Sequence, residues 1–485
     1  MTLCLHDDSH KRWIFLLILW SLIFLWVRPW AGDLRSDTLR YACIAKDMAT
    51  NNNWLSPVLD GQPYMNKPPL YFWLVAISFK IFGFSSYAAK IPSLLFATLN
   101  VLLLYLIVYR LFKDHDLAFF SAFVFESTRW IIKNFASNRP ESLLVFSVLL
   151  SWYSLTLLNQ KDKKGPYLLG LSFAIAFMSK LFFAFFFPAV LFAYGLTTRR
   201  LYGWLRWSHF YYGCLLGLLL ASPWFVYSEI NQAGYISYLV NDQTVQRIVE
   251  GADTRKDAFM YLKEIITYYH PYLIFFALGI PLLWKKRREE NYVFIILAII
   301  IIYLPLQLSA GKTDRYLTIL TPFLSVVTAT GIMRFEKIKK FAKNFSVYGI
   351  IPLFIFFWIV PVKVNPEKFS VVPTALRLSK ADRMDYKDPL LFIKEGQKVP
   401  SDRLRFVEWT YTPQALEYKL VYYFYLSDSF VHWTNEELQE WMKEGDKPII
   451  LFTSQKSINE LPRDAVHWIE IDSDKYHSLF VGVKK

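Results

Sequence analysis

Long apolar runs recur along this chain and leave few folds open to it. They fall at roughly 13–30, 86–111, 117–133, 139–159, 166–179, 181–197, 208–227, 270–284, 291–309, 316–333 and 347–362. In lipid, backbone N–H and C=O groups must bond within their own segment, so each run reads as a helix. The expectation is an α-helical polytopic membrane protein with about eleven spans and an upper bound of thirteen. Composition agrees: only 19% of residues are charged, against about 25% in soluble domains. No small-residue cleavage signature follows the first run, which therefore reads as a retained span.

The net charge of +14 would suggest a nucleic-acid partner in a soluble chain. Here the cations sit in short loops between apolar runs. Lys11 and Arg12 come first, then Arg110 and Lys113, then Lys161, Lys163 and Lys164. Arg199, Arg200 and Arg206 follow, then Lys285 to Arg288, and last Arg334, Lys337, Lys339, Lys340 and Lys343. With eleven spans all of these clusters share one side, which the positive-inside rule makes cytoplasmic. The amino terminus is then cytoplasmic, and in a bacterium the opposite side would be the periplasm or outer surface. That outer side receives residues 31–85, the turn near 134–138, Lys180, residues 228–269 and 309–315, and everything after about 363.

Two domains are expected. Residues 1–362 form the membrane part, with a first outer loop at 31–85. Residues 363–485 form a small α/β domain outside the membrane, with strand-like runs at 391–394 and 449–452 and a helix at Thr434–Gly445, where Thr434 and Glu437 fit a capping box. The three cysteines have no paired spacing, so neither a disulfide framework nor a zinc site is indicated.

The first outer loop carries charges that a bilayer core would reject. Asp37–Met48 has helical spacing, with Tyr41, Ile44, Ala45 and Met48 on one stripe, and fits an interfacial helix. Asp37, at its start, is either an N-cap or a carboxylate aimed into a cavity between spans. Asp60-Gly61 signals a turn. Lys67 precedes two prolines that fix the backbone, among Tyr64, Tyr71, Phe72 and Trp73. It is either a snorkelling lysine or a point charge for an anionic headgroup. Glu141, beside Arg139 and Pro140, opens the fourth run, where a first-turn carboxylate also suits the helix dipole. Lys180 interrupts an apolar stretch and is costly there unless it works at the water boundary. Arg315 and Tyr316 open the tenth run.

Cations match phosphate oxygens, which makes Arg40, Lys67, Lys180 and Arg315 candidate phosphate ligands. Carboxylates match the proton of an attacking group, which makes Asp37 and Glu141 the candidate catalytic residues. The same two are candidates for holding a divalent metal ion, which no motif requires. Phosphate-linked chemistry at the lipid–water boundary follows. A transporter or flippase of lipid-linked sugars would share the spans and the basic cavity. It would more often show two similar halves with matching broken helices, and no such repeat is visible. A membrane scaffold leaves the charged helix ends unexplained.

The runs S-D-T-L-R-Y-A (36–42), P-Y-M-N-K-P-P-L-Y-F-W (63–73), R-P-E-S (139–142), M-S-K (178–180), S-P-W-F (222–225) and D-R-Y (314–316) resemble the GT-C type of polyprenyl-phosphate-sugar-dependent glycosyltransferases. Within that type the chain resembles the branch holding the bacterial lipid A aminoarabinose transferase and the protein mannosyltransferase superfamily. The resemblance covers about residues 10–362. It implies a sugar carried on a polyprenyl phosphate and transferred to a lipid-linked, lipid A-like or protein acceptor at the outer face. It also implies an essential acid at Asp37, with Arg40, Tyr41, Lys67, Glu141 and Lys180 at the matching motif positions. Three positions depart from the family pattern: Thr38 stands where a glutamate is usual, Asn66 stands where the aminoarabinose enzymes have glutamate, and Leu181 stands where glycine is common.

Overall fold

A computed structural model describes residues 8–27, 34, 37–59, 61–249, 257, 259–349, 405–408, 431–432, 449–454, 466–473 and 477–484. The chain divides into two compact units, one of residues 1–32 and 47–362, the other of residues 33–46 and 363–485.

The first unit is helical. It begins with α1 (Asp8–Ser21), which passes into a π-helical turn at Leu22–Val27. Helix α2 (Asp37–Asn51), whose residues 37–46 are counted with the second unit, covers the amphipathic stretch expected at 37–48, and Asn52, at φ 56°, turns the chain out of it. A two-stranded hairpin follows, β1 (Val58–Leu59) with β2 (Gln62–Pro63). Gly61, at φ 73°, supplies the left-handed turn there. Asp60 lies outside the described residues. Helix α3 (Leu70–Phe82) starts directly after Pro68-Pro69.

Helices α4 (Ser86–Phe112), α5 (His115–Ser127), α6 (Arg129–Phe135), α7 (Glu141–Leu158) and α8 (Lys164–Lys180) come next. Then come α9 (Phe186–Thr197), α10 (Leu201–Leu205), α11 (Ser208–Asn231), α12 (Tyr235–Val240) and α13 (Gln246–Val249). The series closes with α14 (Met260–Tyr268), α15 (Leu273–Lys285), α16 (Glu290–Leu308), α17 (Thr321–Met333) and α18 (Glu336–Tyr348).

This is a helical polytopic membrane protein. Among the described residues, five helical stretches are long and apolar enough to cross a bilayer, or six if α14 and α15, bent by 113°, count as one. Fewer qualify than the eleven apolar runs because apolar character does not guarantee an unbroken helix. The runs at 166–179 and 181–197 form one apolar stretch of 34 residues, interrupted by a 3-10 turn at Leu181–Phe185. The run at 117–133 is divided at Ser127–Thr128, and the tenth run begins with a 3-10 turn at Asp314–Ile319. From residue 350 the eleventh run lies outside the described residues.

The basic loops meet at one end of the bundle. Arg110 donates to Gln160 at 2.6 Å, and Asn291 donates to the Leu111 carbonyl at 3.0 Å. Arg200 grips Glu290 with both Nε and Nη2, the shortest contact being 2.7 Å. Tyr105 OH bridges His10 and His115 at 3.1 and 3.0 Å. Lys113, Lys161 and Arg199, just past the ends of α4, α7 and α9, adopt left-handed conformations at φ 54°, 56° and 59°. A cation at each helix carboxyl end also suits the helix dipole.

Glycine sets one close crossing inside this unit. A Cβ on Gly170 of α8 would lie 2.0 Å from the Gly213 carbonyl oxygen of α11. Only hydrogen fits, so the two backbones approach closely without relying on a hydrophobic force between lipid-bathed helices.

The second unit contains a five-stranded sheet in the order β4-β3-β5-β7-β6. Its strands are β3 (Arg405–Glu408), β4 (Val431–His432), β5 (Ile449–Ser454), β6 (Val466–Ser473) and β7 (His477–Lys484). The first three pair in parallel, and β7 runs antiparallel to β5 and β6. Strand β5 contains the expected run at 449–452. The run at 391–394 and the helix at 434–445 lie outside the described residues.

Candidate active site

Helices α7 and α8 are antiparallel neighbours joined by a short turn at the basic end. The start of α7 and the finish of α8 therefore meet at the opposite end. Glu141 is the first residue of α7, after Pro140 at φ −74°, a proline conformation already suited to a helix start. Lys180 is the last residue of α8, where the backbone leaves the helix at φ −154°, ψ 79°.

Lys180 Nζ donates to Glu141 Oε1 at 2.7 Å, and the two side chains are 10% and 2% exposed. Arg315, from the 3-10 turn before α17, brings its Nε to 3.8 Å from the same oxygen. Lys180 also lies 5.3 Å from the ring centroids of both Phe183 and Tyr316, and those rings pack edge-on at 4.9 Å. A lysine so placed is fixed by one carboxylate and two aromatic faces. Arg139 lies within charge range of Glu141, and Lys67 within charge range of Lys180. Three cations thus face one carboxylate, and a fourth, Lys67, lies within charge range of Lys180. Asp314, next to Arg315 in sequence, pairs with Lys133 of α6. Glu141 Oε2 has no hydrogen-bond partner among the described residues. The assembly is built to accept an anion.

Buried polar residues hold the 138–142 turn in place. Ser93 of α4 donates to the Arg139 carbonyl and bonds the Ser142 hydroxyl, both at 3.1 Å. Asn100, two turns along α4, donates to the Ser142 carbonyl at 2.8 Å. Tyr71 of α3 donates to Asn138 Oδ1 at 2.8 Å, which ties the segment after Lys67 to the segment before Glu141. Sequence reading did not single out Ser93, Asn100 or Asn138. The signal was a serine and an asparagine inside the apolar α4, where unsatisfied polar groups are costly.

The structure brings Glu141, Lys180, Arg315 and Tyr316 together, with Lys67 in charge range. Asp37, Arg40 and Tyr41 stand in the first turns of α2, among the residues of the second unit. There Arg40 Nη1 lies 3.7 Å from Asp37 Oδ1, a partly exposed pair one helical turn apart. Asp37 falls inside the first turn rather than before it, so its carboxylate suits the helix dipole without being the N-cap.

Among the described residues no three His, Cys, Asp or Glu side chains form a metal-binding group.

The dolichyl-phosphate-mannose-protein mannosyltransferase family model matches residues 66–227. That span includes Lys67, Glu141 and Lys180. The undecaprenyl phosphate-alpha-4-amino-4-deoxy-L-arabinose arabinosyl transferase of Pseudomonas aeruginosa (strain UCBPP-PA14) is 27% identical over 321 residues, 64% of this chain and 57% of the relative. The Pseudomonas fluorescens (strain Pf-5) transferase 1 of the same name is 25% identical over 316 residues, 63% of this chain and 57% of the relative. The chain thus spans less than two thirds of the length of these curated relatives.

The crystal structure of ArnT from Cupriavidus metallidurans bound to undecaprenyl phosphate superposes with a TM-score of 0.75 at 14% identity, covering 98% of each chain. The Archaeoglobus fulgidus oligosaccharyltransferase is more distant, with a TM-score of 0.52 at 12% identity over 92% of this chain and 68% of that one. The family-model match includes Lys67, Arg139, Glu141 and Lys180 and ends before Arg315, and the structural match extends over nearly the whole length. The chain has the fold of ArnT, and its sequence is similar to the mannosyltransferase family model over residues 66–227 and to the arabinosyl transferases over 63–64% of its length.

Proposed function

We propose that the chain is a glycosyltransferase that moves a sugar from a polyprenyl-phosphate donor to a lipid-linked glycan, lipid A-like or protein acceptor. The observation that carries this reading is the net-positive cluster of Lys180, Arg315, Lys67 and Arg139 around Glu141. Such a cluster at the end of a lipid-embedded bundle suits a phosphate whose tail lies in the membrane. The named activities of the sequence relatives, and the undecaprenyl phosphate bound to ArnT, support the same donor class.

The acceptor oxygen attacks the anomeric carbon, a new C–O bond forms, and the bond from that carbon to the phosphate oxygen breaks. Polyprenyl phosphate leaves with the electron pair. Lys180, Arg315 and Lys67 stabilise the charge it gains, a role that its motif position also proposes for Arg40, and such stabilisation is usually a large part of catalysis. Asp37 takes the proton of a hydroxyl acceptor or stabilises the positive charge developing on the sugar. A phosphate acceptor brings no proton to remove. Glu141 acts through the cations it holds and is a positioning residue. Tyr316 and Tyr41 support the cationic groups beside them in sequence.

The proposed setting is a bacterial inner membrane crossed about eleven times, with a cytoplasmic amino terminus. Residues 1–362 form the membrane domain, and residues 363–485 form a small α/β domain on the periplasmic side. The gathering of the basic loops at the end of the bundle away from Glu141 supports this orientation.

Mass spectrometry of envelope lipids and glycans, from cells carrying the gene, lacking it, or expressing Asp37→Ala, tests the reading. A sugar lost in both the deletion and the variant establishes transfer and names donor and acceptor. Near-normal product with Asp37→Asn overturns the role of Asp37. Movement of a lipid-linked sugar between leaflets without a new bond replaces the transferase with a flippase.

A further inference from the structure

Helix α18 presents two chemically different sides at the basic end of the bundle. On one side Lys339 and Lys343 both reach Asp116, at the start of α5, at 3.2 and 3.3 Å. Lys343 also stands 5.1 Å over the Trp13 ring of α1. On the other side, Lys337, Lys340, Phe341, Asn344 and Tyr348 recur at three- and four-residue spacing and are all exposed. Phe341 and Tyr348 are 71% and 74% exposed. Lys337 and Lys340 make no ion pair among the described residues. Phe345 flanks this face and stacks on Trp20 at 6.1 Å.

The face is graded along its length. Its cations occupy the amino-terminal turns and its aromatics the carboxyl-terminal turns. The contacts give that gradient a direction, because Lys343 meets Trp13 whereas Phe345 meets Trp20, two turns further along α1. The helix thus runs from the end of the bundle towards its apolar interior. Its exposed side offers positive charge first and aromatic surface deeper in, which is the order of a phospholipid's own headgroup and acyl chains. Among the described residues, Asp116 and Glu336 pair with Lys339, and Asp116 also pairs with Lys343, whereas Lys337 and Lys340 remain on the exposed side.

We propose that the exposed face of α18 binds an anionic phospholipid of the leaflet at the basic end. The headgroup phosphate sits against Lys337 and Lys340, and an acyl chain lies over Phe341 and Tyr348. Each lysine near an anionic membrane surface contributes about fivefold in affinity, so the pair contributes about 25-fold. The reading is independent of sugar transfer, because no residue of the Glu141 cluster takes part.

The full-length protein in nanodiscs of phosphatidylcholine, titrated with phosphatidylglycerol and examined by native mass spectrometry, tests it. The wild type is expected to retain phosphatidylglycerol over phosphatidylcholine, and K337Q/K340Q to lose about 25-fold of that preference with thermal unfolding in pure phosphatidylcholine unchanged. A photo-crosslinker at position 341 identifies the occupant. A phospholipid adduct supports the proposal, whereas an adduct with the chain's own later segment or with a second copy overturns it. Equal retention of phosphatidylglycerol by wild type and double variant also overturns it.

Discussion

The contact between Glu141 and Lys180 allows a double-mutant test that separates its structural from its chemical role. Both side chains are nearly sealed, at 2% and 10% exposure, and they meet at 2.7 Å. Breaking such a pair by removing one partner typically costs about 3–5 kcal/mol, whereas replacing both with neutral groups is often close to neutral. The geometry makes the two single losses unequal. In Lys180→Met the carboxylate keeps Arg315 at 3.8 Å, so the cost should fall near the bottom of that range. In Glu141→Gln both cations lose their shared anion and face each other, so the cost should fall near the top. The double variant should recover at least about 2 kcal/mol of the summed losses. Thermal unfolding of all four proteins in one detergent, read by intrinsic fluorescence, gives the stability order. Binding of undecaprenyl phosphate to the same proteins gives the functional one. The double variant is expected to regain stability but not phosphate affinity, because its lysine is gone. If Glu141→Gln is no less stable than Lys180→Met, or if the single losses simply add, then Glu141 is not the anchor of the cluster.

Two further outcomes follow from the packing around the site. Tyr71→Phe removes the hydroxyl that binds Asn138 and should cost about 0.5–1.5 kcal/mol by deleting a buried hydrogen bond; it should also weaken undecaprenyl phosphate binding, and unchanged values of both would detach this hydrogen bond from the site. Gly170→Ala places a Cβ 2.0 Å from the Gly213 carbonyl oxygen and should destabilise the α8–α11 crossing by about 1–3 kcal/mol or more, seen as a lower unfolding temperature, whereas a wild-type temperature would refute the close approach.

The helical membrane class, the amphipathic stretch at 37–48 and the side shared by the basic loops could all be read from the sequence. These are one-dimensional properties. Hydrophobic length, helical periodicity and loop charge are each fixed by neighbouring residues and by the bilayer as solvent. Glu141 and Lys180 were legible for the same reason, since charges at the ends of apolar runs stand out against their surroundings. Tertiary structure alone decided that the two touch. They lie 39 residues apart in sequence, and their meeting depends on how α7 and α8 turn back on each other and on where the 3-10 turn carrying Arg315 arrives. Tertiary packing also divided apolar runs into shorter helices at 127–128, 181–185 and 314–319, because neighbouring groups can satisfy a backbone that leaves the helix inside a bundle. The supports from Ser93, Asn100 and Asn138 were equally invisible in one dimension. A buried polar side chain is explained only by its partner, and the partner is chosen by the fold.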